Sequence, residues 1–240
     1  IPMKYRDEKK TIRIYTPPNY DLDSIARFPV VYMLDGQASF NDLVAQGPEW
    51  ELDEVINEAV KNGKQGSIVV AIDNAEDRDA EYTPFINEDN PNAHGNKFAI
   101  WVANDLKAWV DQNYRTKKEV KSTSIGGISR SGMMAYYMLM AHPDVFGNAI
   151  IQSPAMWVDY DRLMAMQLSD EQLKNKKIFV SVGGKEGRIM IPHAKDIYEK
   201  FKTLGLKDDQ LRFELIPKEG HWNLTWRKSF ALAYPFLIGE

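Results

Sequence analysis

The segment Gly127-Ile128-Ser129-Arg130-Ser131-Gly132 sets a serine among small residues. It nearly spells G-x-S-x-G, the pattern in which a sharp strand-to-helix turn displays a nucleophilic hydroxyl. The fifth position is Ser131 and not glycine. Strand and helix must approach closely around such a turn, and Gly127, Ser131 and Gly132 are all small enough to allow it. A serine hydroxyl is a weak nucleophile at neutral pH. Acyl transfer therefore needs a base within hydrogen-bond reach and an acid that orients the base.

On an elbow of this kind the chain order is serine, then Asp or Glu, then histidine. The chain has four histidines, so the search is short. His142 ends the helical segment after the elbow, before Pro143, a structural position. His94 precedes the serine and is out of order, able at most to touch substrate. His193 begins a later helical segment and reads as structural. His221, in "PKEGHWNLTW", follows the last expected strand and precedes the last expected helix, where the order requires the base. The acid should follow the strand Lys177–Val182. Glu186 is the first carboxylate beyond it, on the turn Gly183-Gly184-Lys185-Glu186-Gly187; Asp159, Asp161, Asp196 and Glu219 are its competitors.

An oxyanion also needs backbone N–H groups aimed at it. Arg130, next to the serine, should supply one. Gln37, in the "LDGQASF" loop after the strand Pro29–Leu34, should supply the other, with Gly36 allowing the turn. Trp50, Trp157, Trp222 and Trp226 fall in loops or helix starts near the expected mouth, where rings could stack on a sugar or a phenolic acyl group. Trp226, on the last helix, reads as core. Arg78 and Tyr82, in "EDRDAEYTP", could contact a polar substrate group or pin their own loop.

The elements that must hold these residues alternate. Short β-branched or apolar runs occur at Thr11–Thr16, Pro29–Leu34, Ser67–Ile72, Ser122–Ile128, Asn148–Gln152, Lys177–Val182 and Leu211–Ile216. Segments of helical period lie between them at Glu49–Lys61, Lys97–Asn113, Arg130–His142, Ile191–Leu204 and Trp222–Leu237. Continuous apolar strands alternating with helices predict a mostly parallel sheet covered on both faces, in one α/β domain over residues 1–240. Thr11–Thr16 and Pro29–Leu34, joined by a proline-rich loop, read as an antiparallel pair at one edge. Asp73–Asn96 is polar and reads as a solvated loop.

The 240 residues are 44% hydrophobic, enough for a substantial core. Net charge −4 argues against a general nucleic-acid binder, and no apolar run approaches the length of a membrane span. With no cysteine, disulfides, thiolate metal sites and cysteine nucleophiles are excluded. No cofactor or metal is called for. The compartment and the oligomeric state are left open.

With these residues in place the chain resembles the putative-esterase (esterase D-like) family of α/β-hydrolases, which includes feruloyl and acetyl-xylan esterases and siderophore (enterobactin-type) esterases. The resemblance rests on "VVYMLDGQASF", "SIVVAIDNAEDRDAEYTPF", "QNYRT", "GGISRSGMMA", "HPDVFG", "QSPAMW", "SVGGKEG" and "EGHWNLTW" in that order. It implies Ser129 as nucleophile, Glu186 as acid, His221 as base, and the N–H groups of Gln37 and Arg130 as the oxyanion hole. It further implies a serine esterase for small-molecule or carbohydrate-linked (acetyl or feruloyl) esters. A siderophore esterase is the nearest alternative, and a non-catalytic carbohydrate- or partner-binding member is a more distant one. Ser131 stands where the family usually has glycine.

Overall fold

A computed structural model describes residues 1–45 and 47–239. Its strands are β1 (Pro2–Met3), β2 (Glu8–Lys9), β3 (Ile12–Tyr15), β4 (Val30–Leu34), β5 (Ile68–Ile72), β6 (Thr123–Ile128), β7 (Asn148–Gln152), β8 (Lys177–Gly183) and β9 (Leu211–Ile216). The first two form a small antiparallel pair, and the other seven form one sheet in the order β3-β5-β4-β6-β7-β8-β9. Strands β4 to β9 are parallel, and β3 runs antiparallel to β5. This is the mostly parallel sheet that the alternation of strands and helices predicts, and the α/β-hydrolase fold that the resemblance implies.

The helices are α1 (Asp42–Ala45), α2 (Leu52–Lys61), α3 (Arg78–Glu81), α4 (Gly95–Trp101), α5 (Lys107–Asn113), α6 (Arg130–Ala141), α7 (Tyr160–Ala165), α8 (Asp170–Leu173), α9 (Gly187–Thr203) and α10 (Asn223–Ile238). The pleat divides the apolar strand residues between two cores. Tyr32, Leu34, Val70 and Ile72 pack with α4, α5, α6 and α9; Val31, Met33, Val69 and Ala71 face the other way, onto α2 and α10. Strand residues that are apolar on both sides, such as the fully buried β4 and β5, therefore have a helix layer for each face. Residues Ser131 to Met140 of α6 are all buried, which explains an apolar run without a polar stripe.

Three expectations are corrected. β3 is the antiparallel edge strand, but its partner is β5, with Ile12 opposite Ile72, and not the Pro29–Leu34 segment. β4 instead lies inside the sheet between β5 and β6, where its five buried residues are covered. The stretch 73–96 is not loop throughout: it contains α3 and the start of α4. The helix expected over Lys97–Asn113 begins at Gly95 and includes one wider π turn, Val102–Leu106, between α4 and α5.

Parallel strands leave the molecule with two unlike ends. The residues expected to act chemically follow the carboxyl ends of β4, β6, β8 and β9. At the amino ends lie two adjoining cavities of about 200 and 530 Å³ that share Lys121, Asn148 and Leu237. Between them they are lined by Lys64, Lys117, Lys121, Lys174, Lys176, Lys177 and Lys207, against a single carboxylate, Asp209.

Candidate active site

Ser129 sits between β6 and α6 with φ 58° and ψ −120°, a combination that L-residues adopt only when their surroundings impose it. Those surroundings are visible. The Ser129 N–H donates to Gln152 O at 2.9 Å, and Ser129 O accepts from the N–H groups of Met133 at 3.0 Å and Ala155 at 2.9 Å. The glycine before it is obligatory, because a Cβ on Gly127 would fall 2.2 Å from Ser131 O.

Ser131 does more than fill the place of a glycine. Its side chain is fully buried, and its Oγ accepts from Ile128 N–H at 2.8 Å while lying 2.7 Å from Asp35 Oδ2 and 2.8 Å from Ile128 O. Asp35 in turn accepts from Arg78 Nε at 2.7 Å and Nη2 at 2.6 Å. Burial works against the Arg78 charge, but the hydrogen bonds and charge of Asp35 hold it above its ordinary range. The elbow and the loop carrying Gln37 are thus tied through one ionic junction.

Asp35 has φ 57° and starts a single 3₁₀ turn, Gly36–Ala38. Gly36 is pressed on β5, where a Cβ would meet the backbone of Ala71 and Ile72 at 2.4 Å. The turn's internal bonds begin at Ala38 N–H, which donates to Asp35 O, so the N–H of Gln37 is not drawn into the turn. The Gln37 side chain is held by Asn74. Arg130 N–H lies in the first turn of α6, where helical N–H groups have no internal acceptor.

Glu186 and His221 are brought together: His221 Nδ1 lies 3.0 Å from Glu186 Oε2. The Glu186 side chain is fully buried, whereas that of His221 is 37% exposed. Gly183 lets the carboxylate fold back, since a Cβ there would lie 2.7 Å from Glu186 Oε1. Oε1 accepts from Gly183 N–H at 2.8 Å and from Ser153 Oγ at 2.7 Å. Ser153 Oγ accepts from Trp226 Nε1 at 3.1 Å, and the Trp226 ring stands edge-on to His221, centroids 5.0 Å apart at 85°. The loop under His221 is braced where Thr225 Oγ1 donates to Gly220 O at 2.6 Å. Among the described residues, no hydrogen bond joins the Ser129 hydroxyl to His221. Ser153 is the residue that sequence reasoning missed; Trp226, read there as core, packs partly buried against the core and also bonds Ser153. The serine ending "IQS" at the tip of β7 was the available signal.

The aromatic and basic residues expected to meet substrate divide. Trp157 and Trp222 are 49% and 54% exposed. Trp50 is core: it is 3% exposed, packs edge-on to Trp226, and donates from Nε1 to Asn223 Oδ1 at 3.2 Å. Tyr82 is also core, fully buried, with its hydroxyl accepting from Asp35 N–H at 3.1 Å. Of the two expectations for Arg78 and Tyr82, pinning the loop is the one their contacts show. The Arg130 guanidinium, whose charge burial disfavours, bonds Asp79 and Thr83 at 2.9 Å. The remaining histidines lie elsewhere: His142 caps α6 with its pKa lowered by burial, His94 meets Arg6, and His193 stacks on Tyr160.

Glu49, Asp53 and Glu54 bring carboxylate oxygens within 4.8 Å of one another, the one such acidic group among the described residues. Burial, then neighbouring acids, push Glu49 up to about 7 and Asp53 up to about 6.

The sequence profile of the family described as Putative esterase matches residues 4–237. The chain belongs to that esterase family. Among individual relatives, the uncharacterised Bacillus subtilis (strain 168) protein YbbA is 22% identical over 250 residues, covering 99% of this chain and 96% of that one. A solved structure of a ferulic acid esterase superposes with a TM-score of 0.76 at 17% identity, covering 98% of this chain and 93% of that chain. The enterobactin esterase FES from Shigella flexneri, solved in the presence of enterobactin, gives 0.74 at 17% identity, covering 97% of this chain and 55% of that chain. At these identities the two solved structures show a shared fold. No helix among the described residues is long and apolar enough to cross a membrane.

Proposed function

We propose that residues 1–240 form one catalytic unit, a serine carboxylic-ester hydrolase in which Ser129 attacks, His221 shuttles the proton and Glu186 orients His221. The observation that carries this reading is the buried Glu186 carboxylate bonded to the imidazole of a half-open His221. A carboxylate at Nδ1 leaves Nε2 as the basic nitrogen free for the serine. His221 would take the Ser129 proton as Oγ adds to the ester carbonyl, and the N–H groups of Gln37 and Arg130 would receive the oxyanion. Collapse of the adduct expels the alcohol, which takes the proton from His221. Water activated by the same histidine then hydrolyses the acyl-enzyme.

The substrate reading favours small or carbohydrate-linked esters, acetyl or feruloyl. It is supported by the exposed rings of Trp157, after β7, and Trp222, beside His221. A ferulic acid esterase shares the fold. A siderophore ester is the second reading, supported by the fold shared with enterobactin esterase. It is less favoured because such a ligand is anionic, and Arg78 and Arg130 are already committed to Asp35 and Asp79. Hydrolysis of p-nitrophenyl acetate, methyl ferulate, acetylated xylan and a catecholate siderophore ester, each with wild type beside Ser129→Ala and His221→Ala, tests both. Serine-dependent turnover lost by about a thousandfold or more in each variant is expected. Residual activity within tenfold of wild type in Ser129→Ala would remove that serine from its role.

A further inference from the structure

We infer that Ser153 and Trp226 are positioning residues that act in series on Glu186, fixing which of its oxygens serves His221. This rests on the catalytic reading above. The argument is one of proton direction. An indole N–H can only donate, so Ser153 Oγ must accept from Trp226 Nε1, 3.1 Å away. The single hydroxyl proton of Ser153 is then directed to its remaining near neighbour, Glu186 Oε1 at 2.7 Å. The Gly183 N–H also only donates, and it reaches the same oxygen at 2.8 Å. Oε1 therefore receives two fixed donors. It has no role for a proton of its own, and Oε2 is left to His221 Nδ1.

The local backbone is built for this. Ser153 is 1% exposed and has φ 45°, a left-handed conformation uncommon for serine. Its N–H is tied to Ser181 O at 2.7 Å, so the strained turn aims the hydroxyl across from β7 to the end of β8. Trp226 reaches Ser153 from α10 and also packs its ring at right angles to His221, so one side chain meets the base directly and the acid through Ser153. Of the other charges in this region, Glu219 bonds Lys228 and, at 2.8 Å, Trp222 Nε1, and Arg188 is exposed at the start of α9. Lys185 is exposed on the turn before Glu186.

The test is the pH profile of kcat/KM for a p-nitrophenyl ester with Ser153→Ala, Trp226→Phe and the double variant. Phenylalanine keeps an aromatic ring beside His221 and removes the N–H together with part of the indole's packing against Trp50. Losing a donor makes Glu186 hold a proton more tightly through its pair with His221. The acid limb should then move to higher pH, by about half a unit in Ser153→Ala and less in Trp226→Phe. Ser153→Ala should lower kcat about tenfold through a misaimed base. Because the indole N–H acts through the hydroxyl, Trp226→Phe should move the acid limb no further in the Ser153→Ala background. Additive effects, or a lower kcat with an unmoved acid limb, would overturn the inference and leave the catalytic reading standing. Serine-independent turnover in Ser129→Ala would instead remove that reading, and this inference with it. Should Ser153→Ala fold poorly, Ser153→Gly deletes the same hydroxyl while tolerating the positive φ, and the same limb shift is expected.

Discussion

Ser131 Oγ has three polar neighbours, and the glycine usual at this place in the family could satisfy none of them. Ile128 N–H would lose its acceptor and Asp35 Oδ2 would keep Arg78 alone. Ser131→Gly should therefore destabilise the fold by about 1–3 kcal/mol, the range for orphaning buried polar groups, read as a lower urea midpoint with unchanged slope. The residue type was visible in the sequence as a departure from pattern, but its use was not. A serine's hydroxyl matters only once Asp35, 96 positions away, is beside it. The same limit separated the aromatic residues. Trp50 and Trp222 both sit at helix starts in the sequence, yet one is sealed against Trp226 and the other is open. The placing of Ser129, Glu186 and His221 just past strand ends, with Glu186 against His221, was legible for the opposite reason, because chain order and strand ends restrict where such groups can fall.

At the scale of elements, the strand–helix alternation was readable because the inner strands β4, β5 and β8 are apolar on both faces. Pairing was not, as the placement of β3 beside β5 shows; an edge strand half-exposed at all four positions carries no sign of its neighbour. The β6–α6 corner is the most demanding junction of the fold, with Gly127 packed against the backbone of the turn it opens. Gly127→Ala should destabilise by about 3 kcal/mol or more, since rigid backbone and not a side-chain tip must give way. A thermal melt near that of wild type would show that the corner is looser than its geometry states. The turn at Gly183-Gly184-Lys185-Glu186 was legible as glycine-rich, but the fold-back of Glu186 onto Gly183 N–H depends on β9 and the His221 loop closing over it.

For the molecule as a whole, pH acts partly through the acidic group beside α2. Glu49 and Asp53 have folded-state pKa values raised to about 7 and about 6, above their ordinary range. At these two positions the folded chain therefore binds more protons than the unfolded one across roughly pH 4 to 7. That contribution is complete below pH 4 and is lost as pH rises through 7. Asp53→Asn should accordingly raise Tm at pH 8 by about 2 °C, with little gain at pH 4. An equal gain at both pH values would mean that the charge is not the cause.

The lysines gathered at the amino ends of the strands make the overall charge of −4 a poor guide to how this protein meets a surface. A sulfonate resin or an anionic coating at neutral pH should be met by the exposed lysines of that end, and raising the salt should release it. Held this way, the molecules would all stand in one direction, with His221 and the exposed tryptophans turned toward the bulk liquid. Adsorbed protein would then retain its turnover.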